Sequence, residues 1–127
     1  MHHSRLSTLV IDCRTDDLRQ ATDFWSHALG KPVVSYDQDG DGKYAELATL
    51  ADEPIILLQR VAHDSRVHLD IETDDLEAEA RRLEKLEASR IECVRGRWWV
   101  MEAPSGHRFC VVQKQREAFG AHLNRWE

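Results

Sequence analysis

The octapeptide IDCRTDDL, residues 11–18, recurs as LDIETDDL, residues 69–76, with aspartate, Thr-Asp-Asp and leucine in one register. A shared offset of 58 residues (11 to 69), followed each time by a helix-period segment, marks an internal duplication. The chain is therefore read as two copies of one small unit. Each copy offers a strand, a helix and then three strands. In the first, a strand over 6–13 ends at Thr15 and Asp16, which can accept hydrogen bonds from free amides at a helix start. Leu18, Ala21, Trp25, Ala28 and Leu29 form the apolar stripe of that helix, and Gly30 and Pro32 stop it. Strands follow over 33–36, 43–48 and 55–59.

The second copy repeats the order. A strand over 66–71 leads to a helix on Leu76, Ala80, Leu83 and Leu86, then to strands over 91–94, 98–101 and 108–113. Asp74 and Glu77 read as a capping box for the helix. Phe119, Leu123 and Trp126 recur at helical spacing, so 114–127 is expected to form a short C-terminal helix or tail.

With 127 residues, the chain has the length of one domain. A net charge of -6 argues against nucleic acid and anionic membranes as partners, because both need a basic footprint. A neutral or cationic small molecule fits that field better. Cys13, Cys93 and Cys110 are odd in number and lack CxxC spacing, which points away from a disulfide framework and towards a reducing compartment. No apolar run approaches the length of a membrane span, and MHHSRLS has no apolar signal core, so a cytoplasmic location is expected. His2 and His3 are given no role.

Strand alternation assigns faces. Leu9, Ile11 and Cys13 share one side of the first strand, and Val67, Leu69 and Ile71 share one side of its counterpart; these aliphatic sides are expected under the helices. Asp12, His68 and Asp70 leave on the other sides, where they would converge if the two sheets curl towards each other. Asp12 and Asp70 read equally as strand-end residues that bond loops or as acid–base groups beside His68. Trp98 and Trp99 put one indole on each face of a strand: one is core, the other lines a pocket with Tyr44 and Phe109, and parity does not say which. Arg108 shares parity with Cys110 and reads either as a cavity residue or as a solvated arginine. The run DQDGDG, residues 37–42, imitates an EF-hand start, but Ala48 stands where the bidentate glutamate belongs, so an acidic hairpin tip is expected.

The βαβββ duplication, the segment VHLDIETDD with RRLEKLEA after it, and the hairpin WWVMEAPSGHRFCVV resemble the glyoxalase/bleomycin-resistance/dioxygenase (vicinal oxygen chelate) superfamily, and within it the glyoxalase-like subgroup. The resemblance covers residues 6–113, with one module over 6–60 and the other over 64–113. It implies an α+β fold in which two tandem βαβββ modules form a curled eight-stranded mixed sheet around a cavity, assembled as a homodimer. Metal-dependent relatives would place ligands at Val10, at Leu57 or Leu58, at His68 and at Cys110. Only His68 is an ordinary ligand, so no cofactor is predicted; a divalent metal, if bound, would use His68 and Cys110.

The function expected is therefore that of a glyoxalase-like protein binding an organic metabolite or drug between its modules. His68, Asp70 and Asp12 are the candidate catalytic residues, and Trp98, Trp99, Tyr44, Arg108 and Cys110 the candidate ligand contacts. The alternative is a metal-dependent lyase, isomerase or dioxygenase that uses His68 as a ligand.

Overall fold

The computed structural model describes residues 1–37, 40–115 and 122–127. Among them the chain runs β1 (His2–Cys13), α1 (Leu18–Leu29), β2 (Val33–Ser35), β3 (Tyr44–Leu47), β4 (Ile55–Arg60), β5 (Arg66–Thr73), α2 (Leu76–Lys85), β6 (Ser89–Val94), β7 (Trp98–Glu102), β8 (Arg108–Gln113) and β9 (Asn124–Trp126). This is βαβββ twice, in the order expected of the duplication, with a ninth strand added. No helix among the described residues is long and apolar enough to cross a membrane.

The chain packs as two compact units, one of Thr8–His68 and one of Met1–Ser7 with Leu69–Glu127. In the first, the strand order is β2-β3-β4-β1, with β1 parallel to β4 and β3 antiparallel to it. α1 covers one face. Its stripe meets Leu9, Ile11 and Cys13 of β1, Ala45 and Leu47 of β3, and Ile56 and Leu58 of β4 in one apolar core. The helix starts one residue later than its sequence suggests: Asp17 caps it by accepting from the Gln20 amide, while the Thr15 hydroxyl accepts from the Asp17 amide. Gly30 ends it at φ 66°, the left-handed conformation that a residue without Cβ adopts cheaply. In the hairpin after β2, Asp37 accepts from the Gly42 amide and Asp41 from the Lys43 amide, so these carboxylates fold the acidic tip; Gln38 and Asp39 lie outside the described residues.

In the other unit β1, β5, β8, β7 and β6 follow one another, and β9 pairs antiparallel with the start of β1. α2 sits on Ile71, Trp99, Met101, Phe109 and Val111 through Leu76, Ala80 and Leu83. Its cap is Asp75, which accepts from the Ala78 amide, and not Asp74. Asp74 is engaged by the His3 amide and ring instead, and Glu77 by Arg81 and Arg90. The Arg90 guanidinium holds the Glu77 carboxyl down at about 2, well below the ordinary carboxylate range. The expectation that Val67 and Leu69 lie under a helix is corrected: they are 57% and 44% exposed, because α2 reaches only Ile71 on that strand.

Two further expectations change at the chain ends. Trp126 lies in β9, not in a helix, because Asn124–Trp126 finds backbone partners on β1; Phe119 lies outside the described residues. His2 and His3, given no role from sequence, are structural. Glu79, fully buried on α2, accepts from His2 Nε2 at 2.8 Å and from Arg82 Nε and Nη2, each at 2.8 Å. The Arg82 guanidinium lies 3.8 Å over the Trp126 ring, whose Nε1 donates to Ser4 Oγ. Helix, amino-terminal strand and carboxyl-terminal strand are thereby tied through one carboxylate.

Burial raises the Glu79 carboxyl's pKa, but the hydrogen bonds from Arg82, His2 and Ser4 outweigh it and leave the group below its ordinary value of 4.5. A carboxyl depressed in the folded state stabilises above its unfolded value, and that contribution fades as pH falls through the folded one. Glu79→Gln is therefore expected to cost about 2–3 kcal/mol in urea unfolding at neutral pH and to flatten the fall in stability below pH 4.5. An unchanged acid limb would remove Glu79 from the account of what ties the termini.

Candidate functional site

Registers convert the alternation of single strands into rows across the Thr8–His68 unit. Leu9, Ile56 and Leu47 form one row and Ile11, Leu58 and Ala45 another, all on the α1 side. The opposite face then carries Val10, Leu57 and Glu46 in one row and Asp12, Gln59 and Tyr44 in the next. Gln59 Nε2 donates to Tyr44 Oη at 3.1 Å. A polar row thus lies beside an apolar one.

His68 joins this face at the Asp12 end. Its Nδ1 lies 2.7 Å from Asp12 Oδ2, across 56 residues of chain. Asp12 is 2% exposed, whereas the imidazole is partly open. A buried carboxylate accepting from Nδ1–H fixes that tautomer, leaves the lone pair on Nε2, and stabilises the imidazolium when Nε2 takes a proton. Arg66 Nε stands 3.9 Å from the same Oδ2. Asp12 Oδ1 is buried without a hydrogen-bond partner among the described residues. The charge reaches the neighbouring thiol: burial first, then Asp12, pushes Cys13 above its ordinary range.

In the other unit Asp70 lies directly opposite Cys110, which faces Val100; Glu72 lies opposite Val112, which faces Trp98. Trp98 therefore shares the face of Asp70 and Cys110, while Trp99 packs into the α2 core and is placed apart from them. Phe109 packs into the same core, which corrects its assignment as a pocket neighbour. Arg108 pairs with Glu102 across the hairpin at 3.3 Å. Glu72, fully buried, accepts from Arg5 Nε through Oε1 and keeps Oε2 without a hydrogen bond among the described residues.

The ligand positions implied by the family resemblance differ in what they can donate. Val10 and Leu57, opposite one another in register, have no donor atoms, and Leu58 belongs to the α1 core. Donors do occur along β5, where His68 and Asp70 alternate to one face and Asp70 opposes Cys110.

Sequence reading singled out Asp12, His68 and Tyr44, and the structure puts them on one face. It missed Gln59 and Glu46, which reach that face only through the pairing of β3 with β4. It also missed Arg5, and it gave no role to Glu72, which shares the side of His68 and Asp70 on β5. The alternation of His68, Asp70 and Glu72 was the one available signal for the latter.

A family model described as a glyoxalase-like domain matches residues 8–112. Among solved structures, a hypothetical protein from Bacillus halodurans C-125 has a TM-score of 0.65 at 14% identity, covering 91% of this chain and 97% of that one. Methylmalonyl-CoA epimerase from Mycobacterium tuberculosis has a TM-score of 0.62 at 17% identity, covering 87% and 88%. A glyoxalase/bleomycin resistance protein/dioxygenase superfamily member from Vibrio splendidus 12B01 has 0.54 at 16% identity, covering 87% and 99%. At these identities the likeness concerns the fold alone. No functionally curated protein matches the sequence.

Long-range 1H–15N correlation spectra should show His68 with its proton on Nδ1 near neutral pH. Asp12→Asn should shift the ring towards the Nε2–H tautomer, since an amide no longer demands a donor. An Nε2–H ring in the unmodified protein would remove Asp12 as the residue that orients it.

Proposed function

Since the chain belongs to the glyoxalase-like domain family, we propose that it binds a small organic molecule over the polar face around His68 and moves a proton on it without the family's metal-ligand set. The observation that carries this reading is the 2.7 Å contact between His68 Nδ1 and a carboxylate that is itself 2% exposed. Asp12 is then a positioning residue: sealed from solvent, it acts through the imidazole, and His68 is the group that meets the ligand. The adjoining Leu57 offers hydrocarbon contact, and Gln59 and Tyr44 offer polar atoms to orient the ligand.

An imidazole oriented by a carboxylate suits abstraction of a carbon-bound proton beside a carbonyl. Solvent-deuterium incorporation into a panel of α-hydroxyketones, β-keto acids and acyl thioesters tests this directly. Exchange is expected for at least one class; His68→Gln should abolish it, and Asp12→Asn should slow it about 10²-fold. Binding that survives in His68→Gln with no exchange by the unmodified chain would reduce the protein to a binder.

A second reading is favoured by Asp70 and Cys110, a carboxylate and a thiol opposed in register on β5 and β8. A carboxylate behind a ligating histidine is also how metal sites orient their ligands. Titration with Co2+ separates the two: no thiolate-to-cobalt absorption is expected, whereas a band lost in both Cys110→Ser and His68→Ala would establish the metal-dependent alternative.

A further inference from the structure

Where β1 runs out towards α1, the Thr8–His68 unit holds an open cavity of about 580 Å³. Its volume falls in the range of small-molecule sites. Ile11, Ala21, Trp25 and Val67 give it an apolar wall, and Arg14 and Arg66 bring two guanidinium groups to it. Phe24, 62% exposed and edge-on to Trp25 at 5.1 Å between ring centroids, extends the wall towards solvent. The cavity is separate from the His68 face. His68 does not line it, and Asp12 borders it with its carboxylate turned away, since Oδ1 is sealed from solvent and Oδ2 is held by His68.

The charges are weakly committed. Arg14 pairs with Asp64 at 2.8 Å, but those side chains are 62% and 95% exposed, so water screens the pair. Arg66 stands 3.9 Å from Asp12 and is about half exposed. An anionic group held against the apolar wall would meet both guanidiniums, neither of which is tied up by a buried carboxylate partner at hydrogen-bond distance. We propose that this cavity binds a small aromatic organic anion, its ring system against Trp25, Phe24 and Val67 and its carboxylate or sulfonate between Arg14 and Arg66. The site is independent of the proton-transfer reading and stands if that reading fails.

The test is fluorescence titration of the full chain with 8-anilino-1-naphthalenesulfonate and with the uncharged N-phenyl-1-naphthylamine, accompanied by sedimentation velocity. The sulfonate should saturate a single class of site and bind about tenfold more tightly than the amine. Arg14→Gln should weaken the sulfonate roughly tenfold and leave the amine unchanged. Ala21→Trp should fill the wall and remove saturable binding with the melting temperature maintained; should that variant fail to fold, Phe24→Ala, on an exposed ring, serves instead and should weaken both dyes. Equal affinity for the two dyes, or sulfonate binding unchanged in Arg14→Gln, would overturn the proposal. So would a dimer that excludes the sulfonate and dissociates in Phe24→Ala, because the occupant would then be a second copy of the chain.

Discussion

Strand alternation beneath a helix is the constraint from which the rest follows. α1 and α2 each have one apolar stripe, and each must bury it against the hydrocarbon rows of the strands it covers. Once Leu9, Ile11 and Cys13 turn towards α1, alternation sends Val10 and Asp12 to the other face. A one-residue slip of β1 would exchange the two sets and put a carboxylate into the apolar core, at a cost far above that of any single surface contact. The position of Asp12 is thus fixed by the packing of its neighbours as firmly as by its own hydrogen bond.

Polar groups are buried in both units, and each is handled differently. Glu79 is satisfied on both oxygens by His2 and Arg82, so it behaves as structure: cutting one partner strands the others. Asp12 and Glu72 each retain an oxygen without a hydrogen-bond partner among the described residues. An unmatched buried lone pair is costly to folding. In Asp12 the mismatch stands directly behind the His68 imidazole.

The apolar pair Val10 and Leu57 occupies two positions at which the family resemblance implies ligands, and neither side chain carries a donor atom. Both positions lie in register on adjacent parallel strands and serve packing equally well with or without donor atoms. His68 is a donor whose carboxylate partner comes from the other copy of the repeat, at the position that Asp70 holds in its own. The two strand-borne aspartates, equivalent in sequence, are thereby distinguished: one orients an imidazole, the other opposes Cys110.

The sequence by itself determined the repeated βαβββ order, the two helices with their apolar stripes, and the division of each first strand into an aliphatic and a polar side. These are local or periodic properties, carried by residues a few positions apart. Tertiary structure alone decided which polar residues meet. The Asp12–His68 contact spans 56 residues, Gln59 and Tyr44 come into the same row only through antiparallel pairing, and which of Trp98 and Trp99 enters the α2 core is decided only once β7 chooses its partners. Likewise the short tail segment at Trp126 has the spacing of a helix but becomes a strand, and His2 and His3 become structural, because β1 and α2 offer backbone and carboxylate partners that no local pattern encodes. Periodicity records which way a side chain points, whereas register and long-range pairing decide what it finds there.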